Sequence, residues 1–376
     1  MVSIPRRWAA INTSLPNSPA PSIISRVAEA EHGVPRFMRI SFSKKTIKAQ
    51  YVYTQHSIIF PTDAYAKEHD MSKPSIGMVG LGRMGANMAR RLHLKGMNVI
   101  AYNRHAQKAR DLAQETGMRA ASSLEDLVKQ LPAPRVIWLM LPAGEATQEH
   151  IDQLLPLLGK GDILVNGANA LYEDSMAQAT KVEAAGLHYV DAGVSGGVWG
   201  LQEGYALMVG GSHEAVAQVT PFLKALAPGE NQGWLHCGPV GSGHFVKMVH
   251  NGIEYGMMQA LAEGFAILQA KTEFNLDLAN VAEMWRYGSV VRSWLLDLTA
   301  DTLHKDQVLA DIAPVVADSG EGLWTAQAAL AMKIPAPVIT LALQMRWASQ
   351  GKDDYAAKLL AMMRNQFGGH AVQKEG

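Results

Sequence analysis

Apolar and polar positions fall into three regimes along this chain. Through residues 1–70 neither a period of two nor one of 3.6 is sustained, and the stretch carries Pro5, Pro16, Pro19, Pro21, Pro35 and Pro61 with serine clusters. From Ile76 short apolar runs alternate with amphipathic stretches: I-G-M-V-G (76–80), N-V-I-A-Y-N ending at Asn103, R-V-I-W-L-M-L-P (135–142), D-I-L-V-N (162–166), H-Y-V-D-A (188–192) and Y-A-L-M-V-G-G (205–211). Buried strands separated by helical patterns predict a parallel α/β sheet. After residue 243 only helical spacing remains, in D-L-A-N-V-A-E-M-W-R-Y-G, R-S-W-L-L-D-L-T, L-W-T-A-Q-A-A-L-A-M-K, P-V-I-T-L-A-L-Q-M-R-W and D-D-Y-A-A-K-L-L-A-M-M-R-N-Q-F. The expected organisation is an N-terminal extension (1–70), an α/β domain (71–242) and an all-α domain (243–376) whose Met, Leu and Ala residues supply core and subunit packing.

The first strand runs into Gly80, Gly82 and Gly85 and then a helical stretch. A glycine triplet between strand and helix, followed by a second strand, is the Rossmann dinucleotide signature: backbone amides at a helix N-terminus accept a pyrophosphate. An ordinary tight turn is the competing reading, and the complete βαβ context argues against it. An acid at the second strand's tip would bind the ribose 2′-hydroxyl, but Asn103, Arg104 and His105 stand there. An arginine at that point suits a 2′-phosphate, so NADP is expected over NAD, with Lys108 assisting. Loops at 141–144, 166–169 and 194–200 follow strand ends and are expected to converge on the ligand.

The stretch G-S-G-H-F-V-K-M-V-H-N-G-I-E (241–254), read as a helix, puts Lys247, His250, Asn251 and Glu254 on one face. A lysine near a helix N-terminus is disfavoured as an ammonium, which suits a general base. Solvated charges on an ordinary amphipathic helix would look similar. Glycines at 241, 243, 252 and 256 point instead to close backbone packing, since helical glycine costs about 1 kcal/mol.

Composition narrows the partner. Basic and acidic residues number 34 each, which leaves no basic field for nucleic acid and points to a small molecule. Cys237 is the single cysteine, fitting a reduced packing role and a cytoplasmic setting. No apolar run reaches about 18 residues, and the 13 histidines show no ligand spacing, so neither a membrane span nor a metal is expected. For residues 1–70 three readings stand: a disordered or loosely attached segment, a basic organelle transit peptide, or an over-long start upstream of Met71.

From Met71 onward the chain resembles the short bacterial form of 6-phosphogluconate dehydrogenase (decarboxylating), within the β-hydroxyacid dehydrogenase superfamily. The resemblance rests on G-L-G-R-M-G-A-N-M, S-G-G-V-W-G-L-x-x-G-Y, K-M-V-H-N-G-I-E-Y-G, D-S-G-E-G-x-W-T (318–325) and R-N-Q-F-G-G-H (364–370). It implies Lys247 as general base and Glu254 as general acid. It also implies a sugar-acid site of Asn169, Ser195, Gly196, Gly197, His250 and Asn251, with Tyr255 and Arg292 at the phosphate end. Arg364 and His370 would reach a neighbouring subunit's phosphate site, implying at least a dimer. The cofactor would meet Gly80, Gly82, Arg83, Met84, Gly85, Asn103, Arg104, Leu141, Pro142, Ala143 and Asn169. The expected reaction converts 6-phosphogluconate to ribulose 5-phosphate and CO2 as NADP is reduced, in the pentose phosphate pathway. Departures occur: D-G-G-N-S reads N-G-A-N-A with Asn166, Ala168 and Ala170, Leu323 replaces an arginine, and Met257 an aspartate. A 3-hydroxyisobutyrate-like dehydrogenase and a non-catalytic NADP-binding protein are the alternatives; Glu254, Arg364 and His370 argue against the first, and intact Lys247 and Glu254 against the second.

Overall fold

The computed structural model describes residues 53–54, 57–58, 73–368 and 371–373. The described residues fall into two units, divided between Asp63 and Ala64. In the first, β1 (Tyr53–Thr54) and β2 (Ser57–Ile58) pair antiparallel. The remaining expectations for residues 1–70 lie outside the described residues.

In the second unit, β3 (Ser75–Val79), α1 (Arg83–Leu94), β4 (Asn98–Tyr102), α2 (Ala106–Thr116) and β5 (Arg119–Ala120) lead into α3 (Leu124–Gln130) and β6 (Val136–Leu139). Next come α4 (Glu145–Leu154), β7 (Ile163–Asn166), α5 (Tyr172–Ala184), β8 (His188–Ser195), α6 (Gly200–Glu203), β9 (Ala206–Gly211), α7 (His213–Leu226) and β10 (Trp234–Gly238). These strands form one eight-stranded sheet in the order β10-β9-β8-β7-β6-β3-β4-β5. Its central strands are covered on both faces and read as continuous apolar runs, as parallel strands must. Met88 and Leu92 of α1 with Phe222 and Leu223 of α7 fill one face, and Leu127 of α3, Ile151 of α4 and Val182 of α5 fill the other.

The sheet departs from the parallel pattern at one junction. β9 pairs antiparallel with β8. A parallel return requires a crossover of about a dozen residues or more, and the short loop holding α6 turns the chain straight back. β10 then pairs parallel with β9.

Helix α8 (Ser242–Ala270) has 29 residues, and α9 (Leu278–Trp285), α10 (Trp294–Lys305), α11 (Glu321–Ala331), α12 (Pro337–Ser349) and α13 (Asp354–Gly368) follow it. At 1.5 Å per residue α8 spans about 43 Å, so it starts on the sheet and ends among the helices. Its glycines allow both contacts. Gly243 lies against the backbone of β8 and β9, while a Cβ at Gly252 would come within 2.6 Å of Thr325 Cγ2. Thr325 Oγ1 donates to the Met248 carbonyl at 2.8 Å, tying α11 to α8. No helix among the described residues is long and apolar enough to cross a membrane.

Candidate active site

The glycine loop between β3 and α1 forms a cradle that larger residues would fill. Gly80 has φ +94°, and a Cβ there would strike the Met140 carbonyl; one at Gly85 would strike the Gly80 carbonyl. Gly82 faces open space at a cleft of about 380 Å³, bordered also by Arg83, Asn87 and Lys108. The start of α1 has neither a side-chain cap nor an acid in its first turn. Its amides and positive dipole end are therefore available to an anion, and the residues fit a dinucleotide's pyrophosphate.

Asn103, just beyond β4, turns its side chain back: Oδ1 accepts from Leu81 N at 3.0 Å, and Nδ2 donates to the His105 carbonyl at 3.3 Å. It thereby shapes the glycine loop, leaving Arg104 exposed at the tip. Met84 packs on the sheet core, and Leu141, Pro142 and Ala143 follow the end of β6.

The second wall is the start of α8. Lys247 is buried, lying over Gly193 of β8, where a Cβ would overlap its side chain. Lys247 Nζ donates to Asn251 Oδ1, which also accepts from His250 Nδ1 at 2.9 Å. His250 Nδ1 lies 3.9 Å from Glu254 Oε2. The four residues expected on one face thus form one chain of contacts. Burial lowers the Lys247 pKa from the usual lysine value, while the Glu254 and Glu321 carboxylates oppose that shift. Lys247 lies in the second turn, beyond the first turn where the dipole acts most strongly, and burial dominates.

Asn169 adopts φ +52° and brackets Val194, accepting from its N–H at 2.8 Å and donating to its carbonyl at 3.0 Å. It thereby fixes the loop after β7 against β8, whose end supplies Ser195 and then Gly196 and Gly197, both at positive φ. Tyr255 is buried, its hydroxyl meeting Asp318 Oδ1 at 3.2 Å and Ser319 Oγ at 3.1 Å, with the Arg346 guanidinium 3.4 Å above its ring centroid. Arg292 is exposed before α10, and Arg364 is exposed on α13. His370 lies outside the described residues.

Sequence reasoning passed over three groups. Asp191, fully buried in β8, accepts from the Gly241 amide at 2.7 Å and the His244 amide at 2.8 Å, so a strand carboxylate caps the helix bearing Lys247. His244 is buried with Nδ1 2.7 Å from Ser175 Oγ, and burial lowers its pKa. Glu321 bears on Lys247 from the start of α11. A lone acid inside the apolar run H-Y-V-D-A was the available signal for Asp191.

Comparisons with known proteins cover both regions. The family described as the NAD binding domain of 6-phosphogluconate dehydrogenase matches residues 75–238, and that described as the 6-phosphogluconate dehydrogenase C-terminal domain matches residues 243–375. An NAD(+)-dependent, decarboxylating 6-phosphogluconate dehydrogenase of Haloferax volcanii is 40% identical over 301 residues, spanning 80% of this chain and 99% of its own. An NADP(+)-dependent, decarboxylating 6-phosphogluconate dehydrogenase of Bacillus subtilis is 38% identical over 297 residues, spanning 76% of this chain and 63% of its own. The structure of Plasmodium falciparum 6-phosphogluconate dehydrogenase superposes with a TM-score of 0.69 at 29% identity, covering 81% of this chain and 66% of that one.

Proposed function

The chain belongs to the 6-phosphogluconate dehydrogenase family, and from that premise we propose that it oxidises 6-phosphogluconate with NADP and decarboxylates the product to ribulose 5-phosphate and CO2. The observation that carries this reading is the buried Lys247 amine, fixed by Asn251 and accompanied by His250 and Glu254. The glycine cradle opens from the same sheet.

Gly80, Gly82, Arg83 and Gly85 would hold the pyrophosphate, and Arg104 with Lys108 the 2′-phosphate. When bound, NADP supplies the hydride acceptor. Lys247, whose pKa burial lowers, takes the proton of the C3 hydroxyl as hydride leaves C3. The resulting 3-keto acid loses CO2 because its carbonyl accepts the electron pair of the breaking bond, and the new Lys247 ammonium donates to that oxygen. Glu254 then delivers a proton to C1. Asn169, Ser195, Gly196, Gly197, His250 and Asn251 orient the carboxylate and hydroxyls, and Tyr255 and Arg292 face the phosphate end. Arg364 and His370 complete that end from a second copy.

The cofactor preference rests on the exposed Arg104 and on Asn103, an amide committed to the glycine loop where a carboxylate would bind a ribose hydroxyl. Initial rates with 6-phosphogluconate under NADP and NAD, for the native chain and Arg104→Ala, test both parts. The variant is expected to raise KM for NADP about tenfold and that for NAD little. Equal losses with both cofactors contradict the Arg104 assignment, and absence of any rate with 6-phosphogluconate contradicts the substrate.

A further inference from the structure

Helix α1 carries a charge that no step of the reaction uses. Arg91 is only 6% exposed, and its partners are backbone carbonyls rather than a carboxylate. Nη1 donates to Leu201 at 3.0 Å and Gln202 at 3.2 Å, Nε to Ala225 at 3.2 Å, and Nη2 to Ala227 at 2.7 Å. Leu201 and Gln202 lie in α6, and Ala225 and Ala227 at the end of α7. Helix ends leave carbonyls without intrahelical partners and carry partial negative charge, which offsets the cost of burying a guanidinium. Only a planar fork reaches carbonyls on two sides; a lysine offers its donors from one point.

The ties concentrate on one loop. One turn before Arg91, Asn87 Nδ2 donates to the Val198 carbonyl at 3.4 Å. One face of α1 thus holds the carbonyls of 198, 201 and 202. From the other side Gly200 sits directly on the Tyr205 ring, which is fully buried. The same helix presents the anion cradle at its N-terminus, and the loop begins at Ser195–Gly197.

We propose that Arg91 is a positioning residue that sets the Ser195–Gly204 loop against α1, so that the helix receiving the cofactor's pyrophosphate also aligns the loop receiving the sugar acid. The assignment of that loop to the sugar acid rests on the function proposed above. Arg91 itself touches neither ligand.

The test is Arg91→Lys in the full chain, read by amide hydrogen exchange without ligand and by steady-state kinetics. Amides of 196–204 are expected to exchange about tenfold faster while those of β3 and β6 keep their native rates. KM for 6-phosphogluconate is expected to rise about tenfold, KM for the cofactor and kcat by less than about threefold. Lower thermal stability with unchanged exchange at 196–204, or equal rises in both KM values, overturns the proposal. If Arg91→Lys does not fold, Asn87→Ala carries the test through the Val198 tie, and unchanged loop exchange in that variant overturns it. Exchange needs no substrate, so a wrong sugar acid leaves this result standing, whereas an inactive native chain contradicts only the substrate.

Discussion

Lys247 is where sequence spacing and burial meet. A period of 3.6 places it with His250, Asn251 and Glu254, and the structure brings all four into contact. Its burial leads to a linked prediction. The folded state lowers the lysine's pKa, so between the folded value and the unfolded value near 10.5 the unfolded chain binds the extra proton and stability rises with pH. Below that window the full cost of the buried amine remains. Lys247→Met is therefore expected to abolish turnover, preserve cofactor affinity and raise Tm by about 1–3 °C at neutral pH, with the gain shrinking as pH approaches 10.5. Calorimetry across pH checks this, and a variant less stable than the native chain at neutral pH contradicts it. Asp191, which caps the helix bearing this group, and Glu321, which bears on its charge, were not legible because they approach from distant strand and helix positions. No local period relates residue 191 to residues 241 and 244.

At the scale of elements, the strands were legible because runs such as V-I-W-L and I-L-V-N are buried on both faces. The reversal of β9 was not, since apolar periodicity is blind to strand direction. The glycines of α8 differ in a way that only packing reveals. A Cβ at Gly252 collides with Thr325, whereas at Gly264 nothing lies within 4 Å. Gly252→Ala should destabilise by about 1–3 kcal/mol, because overpacking outweighs the gain in helix propensity. Gly264→Ala should stabilise by about 0.5–1 kcal/mol through propensity alone. Urea unfolding of the two variants is expected to give opposite signs. Asp191→Asn tests the cap at the other end of α8: one amide oxygen replaces two carboxylate acceptors, and a loss of about 1–3 kcal/mol is expected by the same measurement. A change below about 0.5 kcal/mol would remove the cap from the account.

Across the whole molecule, the sheet has apolar covers on both faces, while the helical region exposes Ile267 (72%), Leu330 (75%), Val338 (66%) and Tyr355 (79%). So large an exposed apolar load favours a covering surface, and under the proposed function a second copy would be the occupant that also brings Arg364 to the phosphate end. Light scattering during size exclusion is expected to return at least a dimer; a monomer at micromolar concentration contradicts the shared site. The glycine cradle and the shared face of Lys247, His250, Asn251 and Glu254 were readable from motifs and spacing, whereas the bonds of Arg91 and Asp191 depend on how distant segments pack. The central claim is that one enzyme couples oxidation to decarboxylation, and its most direct measurement is CO2 released against cofactor reduced from 6-phosphogluconate. One CO2 per reduced cofactor is the predicted result. Reduction without CO2 would contradict the account and mark the chain as a simple hydroxyacid dehydrogenase.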